Sequence, residues 1–184
     1  MTELIMDIQN SNNMLISNTI ELQKEMAENA KTFNPCADDD DYEKFDPFMD
    51  QCVLLAGNIK TKLNEHKFNE DKNRVIVKIL VQTFMQLLVN FCAVMNDVKK
   101  QLFTQGKRRI KVRCTKSNGE SIQDEEAGVM VEHIIQNGQL DELFARNNKS
   151  LLNQLLETRP IILRIDRDVK NINQITNDMQ LFVY

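Results

Sequence analysis

The sequence predicts an all-α protein: an antiparallel three-helix bundle, a linker, and a C-terminal amphipathic helix able to complete a four-helix bundle. Three observations carry this expectation. Only five Gly and three Pro interrupt 184 residues. A charged fraction of 27% with no Trp and two Tyr, beside abundant Leu, Ile, Met, Asn and Gln, favours helix over sheet. Apolar residues recur at alternating spacings of three and four through the longest segments, the period of one helix face.

The first helix is expected over residues 2–31, with Leu4, Ile8, Leu15, Leu22 and Met26 on one face and polar Asn12 and Thr19 weakening the stripe. It stops before Asn34-Pro35, because proline disfavours a helical residue ahead of it. Asp38, Asp39, Asp40 and Asp41 follow. They lack the spacing and closing Glu of an EF-hand loop, so they read as a solvated loop rather than a calcium site.

Asp46-Pro47 begins the second helix. Asp46 can accept from orphan backbone amides, and Pro47 sits in the first turn, where its missing N–H costs nothing. The helix runs to about His66, a surface residue, with Phe48, Cys52, Leu55, Ile59 and Leu63 on its apolar face. The third helix is expected over residues 71–104, with Val77, Leu80, Phe84, Leu87, Phe91, Val94 and Val98 in phase. Being apolar over more than one face, it belongs at the centre, leaving a groove for a fourth helix. Residues 79–95 are uncharged, but Lys78, Gln82, Gln86 and Asn90 form a polar stripe, which favours a buried soluble helix over a membrane span.

After Gly106 comes a basic run of Lys107, Arg108, Arg109, Lys111, Arg113 and Lys116, then the turn-like Ser117-Asn118-Gly119. This reads as a hinge or linker, solvated or paired within the chain. Contact with lipid headgroups is the weaker reading. Nucleic acid is weaker still, since no aromatic residues interleave for stacking, and the net charge of −4 gives no global attraction to it. A short helix is expected over residues 124–136 and a last one over 139–184, kinked or broken at Pro160. The domain division is 1–105 for the three-helix bundle, 106–138 for the linker and 139–184 for the C-terminal helix.

The last segment carries the functional question. Ile162, Ile165, Val169, Ile172, Thr176, Met179 and Val183 recur at spacings of three and four among Asp, Arg, Lys, Asn and Gln. This is a coiled-coil seam. So short a stripe must bury itself against something to be stable, and the groove of the third helix is its natural dock.

The stretch I-D-R-D-V-K-N-I-N-Q-I-T-N-D-M-Q-L-F-V, from Ile165 to Val183, resembles the N-terminal half of the SNARE motif of syntaxins, whose pattern runs I-x-E-L-x-x-M-F-x-D-M-A-x-L-V. Upstream, D-E-E-A-G-V-M-V-E-H-I-I-Q-N-G from Asp124 to Gly138 is similar to the syntaxin linker's E-E-x-x-x-M-L-E-S-G. With three amphipathic helices ahead of these, the resemblance covers nearly the whole chain.

The resemblance implies a target-membrane SNARE, most like plasma-membrane syntaxins, whose seam joins partner Q-type and R-type SNARE helices to drive vesicle fusion. The seven seam residues are the expected layers of that bundle. Thr176 departs from the larger apolar residue usual in the family. The same seam would fold back on the N-terminal helices in a closed state governed by a Sec/Munc-type protein. In the family a Leu-Glu pair in the linker supports closure; here Arg109-Ile110-Lys111-Val112 stands in the matching region, with Ile110 keeping the apolar role and Lys111 reversing the charge. The chain reads as a fragment that stops in mid-pattern at Tyr184. The family's central glutamine and C-terminal membrane anchor would follow, placing the protein on the cytosolic face of a membrane.

Residues for chemistry are few. There is no H-E-x-x-H, no E-x-x-H pair and no Gly-rich phosphate loop, and the two His stand apart from the Cys. No enzymatic activity and no cofactor are expected. Cys36, Cys52, Cys92 and Cys114 form no C-x-x-C pair and suit a reducing compartment. The start M-T-E-L-I-M-D lacks the regions of a signal peptide. Two rival classes remain open: a helical scaffold or tether that oligomerises through its C-terminal coiled coil, and a lipid-binding adaptor using the basic run.

Overall fold

The computed structural model describes residues 2–36, 45–65, 73–115, 119–139 and 148–183. Among them are five helices: α1 (Thr2–Thr32), α2 (Asp46–Glu65), α3 (Asn73–Arg113), α4 (Asp124–Asn137) and α5 (Lys149–Val183). The described residues form no strand beyond an isolated bridge between Thr115 and Ser121, so the protein is all-helical. The aspartate run 38–41, His66, Lys116, Ser117 and Asn118 lie outside the described residues.

Helices α1 and α2 begin and end within a residue or two of the expected positions. Past α1, the Asn34 side chain accepts from the Cys36 backbone N–H at 2.9 Å, a turn fitted to the Asn-Pro sequence. The apolar face of α2 is shifted slightly. Met49 and Ala56 are buried with Cys52, Leu55, Ile59 and Leu63, whereas Phe48 is half-buried.

The third and last helices depart further from expectation. Helix α3 does not stop near Thr104 but runs through the basic residues to Arg113, so the first part of the expected linker is helix. These cations have partners: Lys107 and Lys111 bind Asp124, Arg113 donates to Gln154 at 3.0 Å, and buried Arg109 lies 5.0 Å from the Phe33 ring. Helix α5 also continues through Pro160 without the expected break. Pro160 is exposed, and buried residues on both sides of it hold the helix together where one hydrogen bond is missing.

The chain divides into two compact units, each drawn from separated stretches: Met1–Glu25, Phe45–Met95 and Arg167–Tyr184 form the first, Met26–Lys44 and Asn96–Asp166 the second. In the first unit, Lys62 binds Asp7 and Asn18 binds Gln51. Residue numbers rise along α1 as they fall along α2, so these two helices are antiparallel. Lys60 joins α2 to α5 through Asp178. Leu15, Cys52, Phe84, Phe91 and Met179 are among the residues of its interior.

In the second unit, Gln101 donates to the Met26 carbonyl and Arg109 covers Phe33, so the end of α1 runs in the direction of α3. Lys99 binds Asp166 and Arg113 binds Gln154, so the first half of α5 runs against α3. Its core joins Ile110 and Cys114 to Ile122, Ala127, Val131 and Ile134 and to Leu151 and Leu155 of α5. Gly106 sits where the helices approach closely: a Cβ there would lie 3.2 Å from both Leu155 and Val131 side-chain carbons, a tight contact.

By length and composition α3 is apolar enough to cross a membrane. Its polar residues Gln82, Gln86 and Asn90 are exposed and its buried face serves the interior of both units.

Candidate functional site

The α5 stripe begins earlier than its sequence pattern suggests. Leu151, Leu155 and Thr158 are buried ahead of Ile162 and Ile165, extending the spacing of three and four by about three turns. They were legible as period but lay beyond Pro160, where the helix was expected to break. Of the seven seam residues, Ile162, Ile165, Ile172, Thr176, Met179 and Val183 are buried and Val169 is half-buried. Neighbouring Asp168 and Ile175 are buried as well.

In the first unit the stripe is fixed by polar contacts at its edge. Lys60 Nζ donates to Asp178 Oδ2 at 2.6 Å, and Gln174 donates to Asp178 Oδ1 at 2.9 Å. The hydrogen bond from Lys60, reinforced by that from Gln174, holds the Asp178 carboxyl below its usual value. Thr176 is the polar member of the buried stripe, and its hydroxyl donates to the Ile172 carbonyl at 2.8 Å. This internal bond lets a hydroxyl sit in an apolar layer without an orphaned polar atom.

In the second unit, Lys99 holds both carboxylate oxygens of Asp166, at 2.6 and 2.8 Å. Arg159 reaches from α5 to the end of α4, donating Nε to the Ile135 carbonyl at 2.8 Å and a terminal nitrogen to the Gln136 carbonyl at 3.3 Å. Ile110, expected in the linker, is instead fully buried on α3. Lys111 is exposed and binds Asp124 at 3.2 Å. Hydrogen bonds from Lys107 and then Lys111 hold the Asp124 carboxyl below its usual value.

The expected groove face of α3 is partly displaced. Val77, Phe84, Phe91, Val94 and Val98 are buried, but Leu80 and Leu87 are only half-buried, and their places are taken by Val81 and Leu88. The sequence pairs apolar residues at these positions, Leu80 with Val81 and Leu87 with Leu88, so period alone does not choose between them. Packing does, by a small rotation of the helix.

Burial pushes the thiols of Cys92 and Cys114 up to about 11 and that of Cys52 higher still. A buried neutral thiol is a poor nucleophile. Among the described residues no three His, Cys, Asp or Glu side chains gather in a way that would hold a metal ion. Among the described residues, the apolar stripe of α5 is the extended feature that the sequence pattern singles out for recognition. No protein-family model matches the sequence, and no curated protein matches it.

Proposed function

We propose that this protein is a syntaxin-type target-membrane SNARE whose α5 stripe assembles with partner SNARE helices and is held in reserve by the rest of its own chain. The observation that carries this reading is the burial of Ile162, Ile165, Ile172, Met179 and Val183 on one side of a helix whose sequence resembles a SNARE motif. In this reading α1, α2 and the first part of α3 form the antiparallel regulatory three-helix bundle. The antiparallel α1 and α2 and the α2–α5 bridge of Lys60 and Asp178 support it.

The mechanism follows from a single surface serving two partners. Side chains of this size contribute about 1.5 to 3 kcal/mol each when buried. The five buried apolar members, Ile162, Ile165, Ile172, Met179 and Val183, make release of the stripe cost on the order of 10 kcal/mol, which a parallel four-helix bundle with three partner helices would return by burying them again. A regulator of Sec/Munc type shifts the balance by binding one state better than the other. Assembly starting at the N-terminal layers, Ile162 and Ile165, then draws together the membranes to which the partners are anchored. The protein acts on the cytosolic face of a membrane, most simply the plasma membrane, without catalytic chemistry.

The test is to mix the protein with partner SNARE segments and follow helicity by circular dichroism and stoichiometry by gel filtration. The expected result is a defined complex that fails to form when Ile165 and Ile172 are replaced by Asp. Self-association with no response to any SNARE segment would replace this reading with that of an oligomerising helical scaffold.

A further inference from the structure

Helix α3 carries apolar residues on two faces. On its inner face Val77, Phe84 and Phe91 are buried. On its outer face, within the first unit, Val75, Ile79, Gln82, Gln86, Val89 and Ala93 are all exposed and recur at spacings of four and three. This is the heptad step of a coiled-coil seam. Val75 is 63% exposed, Ile79 56% and Val89 48%, so the larger apolar members of the outer seam lie open to solvent.

A single exposed apolar side chain is ordinary, whereas these positions follow one line over about 27 Å of helix. No residue from Ile79 to Met95 is charged. A helix face turned only to water is normally polar or charged. This one has the composition of a helix contact, apolar at both ends with two amides between.

The order of the residues says what fits it. Read from either end, the outer seam runs apolar, apolar, Gln, Gln, apolar, apolar. Turned end for end about a midpoint level with Phe84, it meets itself in register. Val75 then falls opposite Ala93 of a second copy, Ile79 opposite Val89, and Gln82 opposite Gln86. Each apolar layer joins a larger side chain to a smaller one, so the layers are evenly filled. A parallel pair would set Ala93 on Ala93 and leave one layer underfilled.

The polar centre and the flanks agree with this pairing. Gln86 donates its side-chain amide to Asn90 at 3.1 Å, and its side-chain oxygen can accept from Gln82 of the second copy. A buried polar layer of this kind sets register and orientation. Lys78 is held about 18 Å along the axis from its own copy, so like charges do not meet.

We propose that the outer face of α3 is a dimerisation surface for a second copy of this chain, paired antiparallel about a two-fold axis level with Phe84. The proposal goes beyond the SNARE reading and does not rest on it, because the α5 stripe is a different surface. With so few layers the contact is small, and the dimer is weak and concentration-dependent.

Sedimentation equilibrium of the whole chain tests this. The parent should show a monomer–dimer equilibrium. Ile79→Lys and Val89→Glu, taken singly, should each weaken the dimer at least roughly tenfold, because each sets a charge against an apolar side chain of the other copy. Both positions are exposed, so thermal melts should match the parent's. The double variant should dimerise again, since antiparallel pairing sets the new cation opposite the new carboxylate.

A parent that stays monomeric at roughly 100 μM overturns the proposal. So does a dimer that survives both single substitutions, which would point to the α5 seam, or a double variant that stays dissociated. Capture of SNARE segments by the same variants reads the proposed function separately and should equal the parent's. Loss of dimerisation with no capture by any chain keeps the α3 surface and overturns the SNARE reading.

Discussion

Lys60 on α2 and Asp178 on α5 form a 2.6 Å ion pair at the edge of the stripe, so α2 holds the polar rim of α5 beside its buried seam. Asp178 is held below its ordinary value near 3.8 by that hydrogen bond, and Asp124 below 3.8 by those from Lys107 and Lys111. A depressed folded-state value means the carboxylate stabilises the fold above the ordinary value and loses that contribution as pH falls through the depressed one. Lys62, raised above 10.5 by its hydrogen bond to Asp7, acts in the opposite direction, stabilising below 10.5 and losing its contribution as pH rises through the raised value. The melting temperature should therefore fall at both extremes. Asp124→Asn with Asp178→Asn should make the acid fall shallower; an unaltered acid limb in thermal melts would sink this assignment.

Ile165 is fully buried and Leu181, on the same helix, is 83% exposed. Ile165→Ala should cost about 2 to 5 kcal/mol in urea denaturation, whereas Leu181→Ala should stay within about 0.5 kcal/mol of the parent. Equal effects would show that α5 is not docked as described.

Thr176 separates packing within the chain from packing with a partner. Thr176→Val removes a buried hydroxyl at nearly constant shape and should be neutral or stabilising by up to about 1 kcal/mol. Thr176→Leu adds volume to a filled site and should destabilise the free protein by about 1 to 3 kcal/mol. Under the proposed function the same Leu suits a coiled-coil layer, so capture of SNARE helices should rise as stability falls.

Gly106 faces Leu155 and Val131. Gly106→Val places two further carbons in that contact and should cost about 1 to 3 kcal/mol, with faster exchange in α4 and the first half of α5. Urea melts superimposable on the parent's would contradict the close approach.

Of the four thiols, Cys36 is exposed and Cys52, Cys92 and Cys114 are buried. A thiol reagent at neutral pH should label Cys36 quickly and the other three only as the fold opens. Rapid labelling of Cys92 would place it at the surface, against the packing of α3.

Helix content, the ends of α1 and α2 and the phase of the α5 seam were legible in the sequence because each rests on local signals: proline, capping residues and apolar period. The extent of α3 was not. Lys107, Arg109, Lys111 and Arg113 read as a linker run, solvated or paired within the chain; the pairing is there, with Phe33, Asp124 and Gln154, but these partners are distant in sequence and the helix they accompany has no local signal. The same holds for Pro160, whose tolerance depends on Leu155, Thr158 and Ile162 being buried around it. For the candidate site, the stripe was traced only from Ile162, while Leu151 and Leu155, inside the expected last helix but ahead of Pro160, were left out of it, and the Arg159 contact to backbone carbonyls has no signature in side-chain pattern at all.

Both compact units are assembled from stretches far apart in the chain, and the piece of the first unit that begins at Arg167 leaves the ribosome after all the others. Until it emerges, the compact unit that it shares with stretches of α1, α2 and α3 stays incomplete and open to solvent and to other nascent chains. Such late, long-range closure slows folding and leaves aggregation-prone intermediates. Biosynthesis should accordingly depend on holdase chaperones more than the protein's helical content alone would suggest, and ribosome-stalled chains ending before Arg167 should be the species they bind.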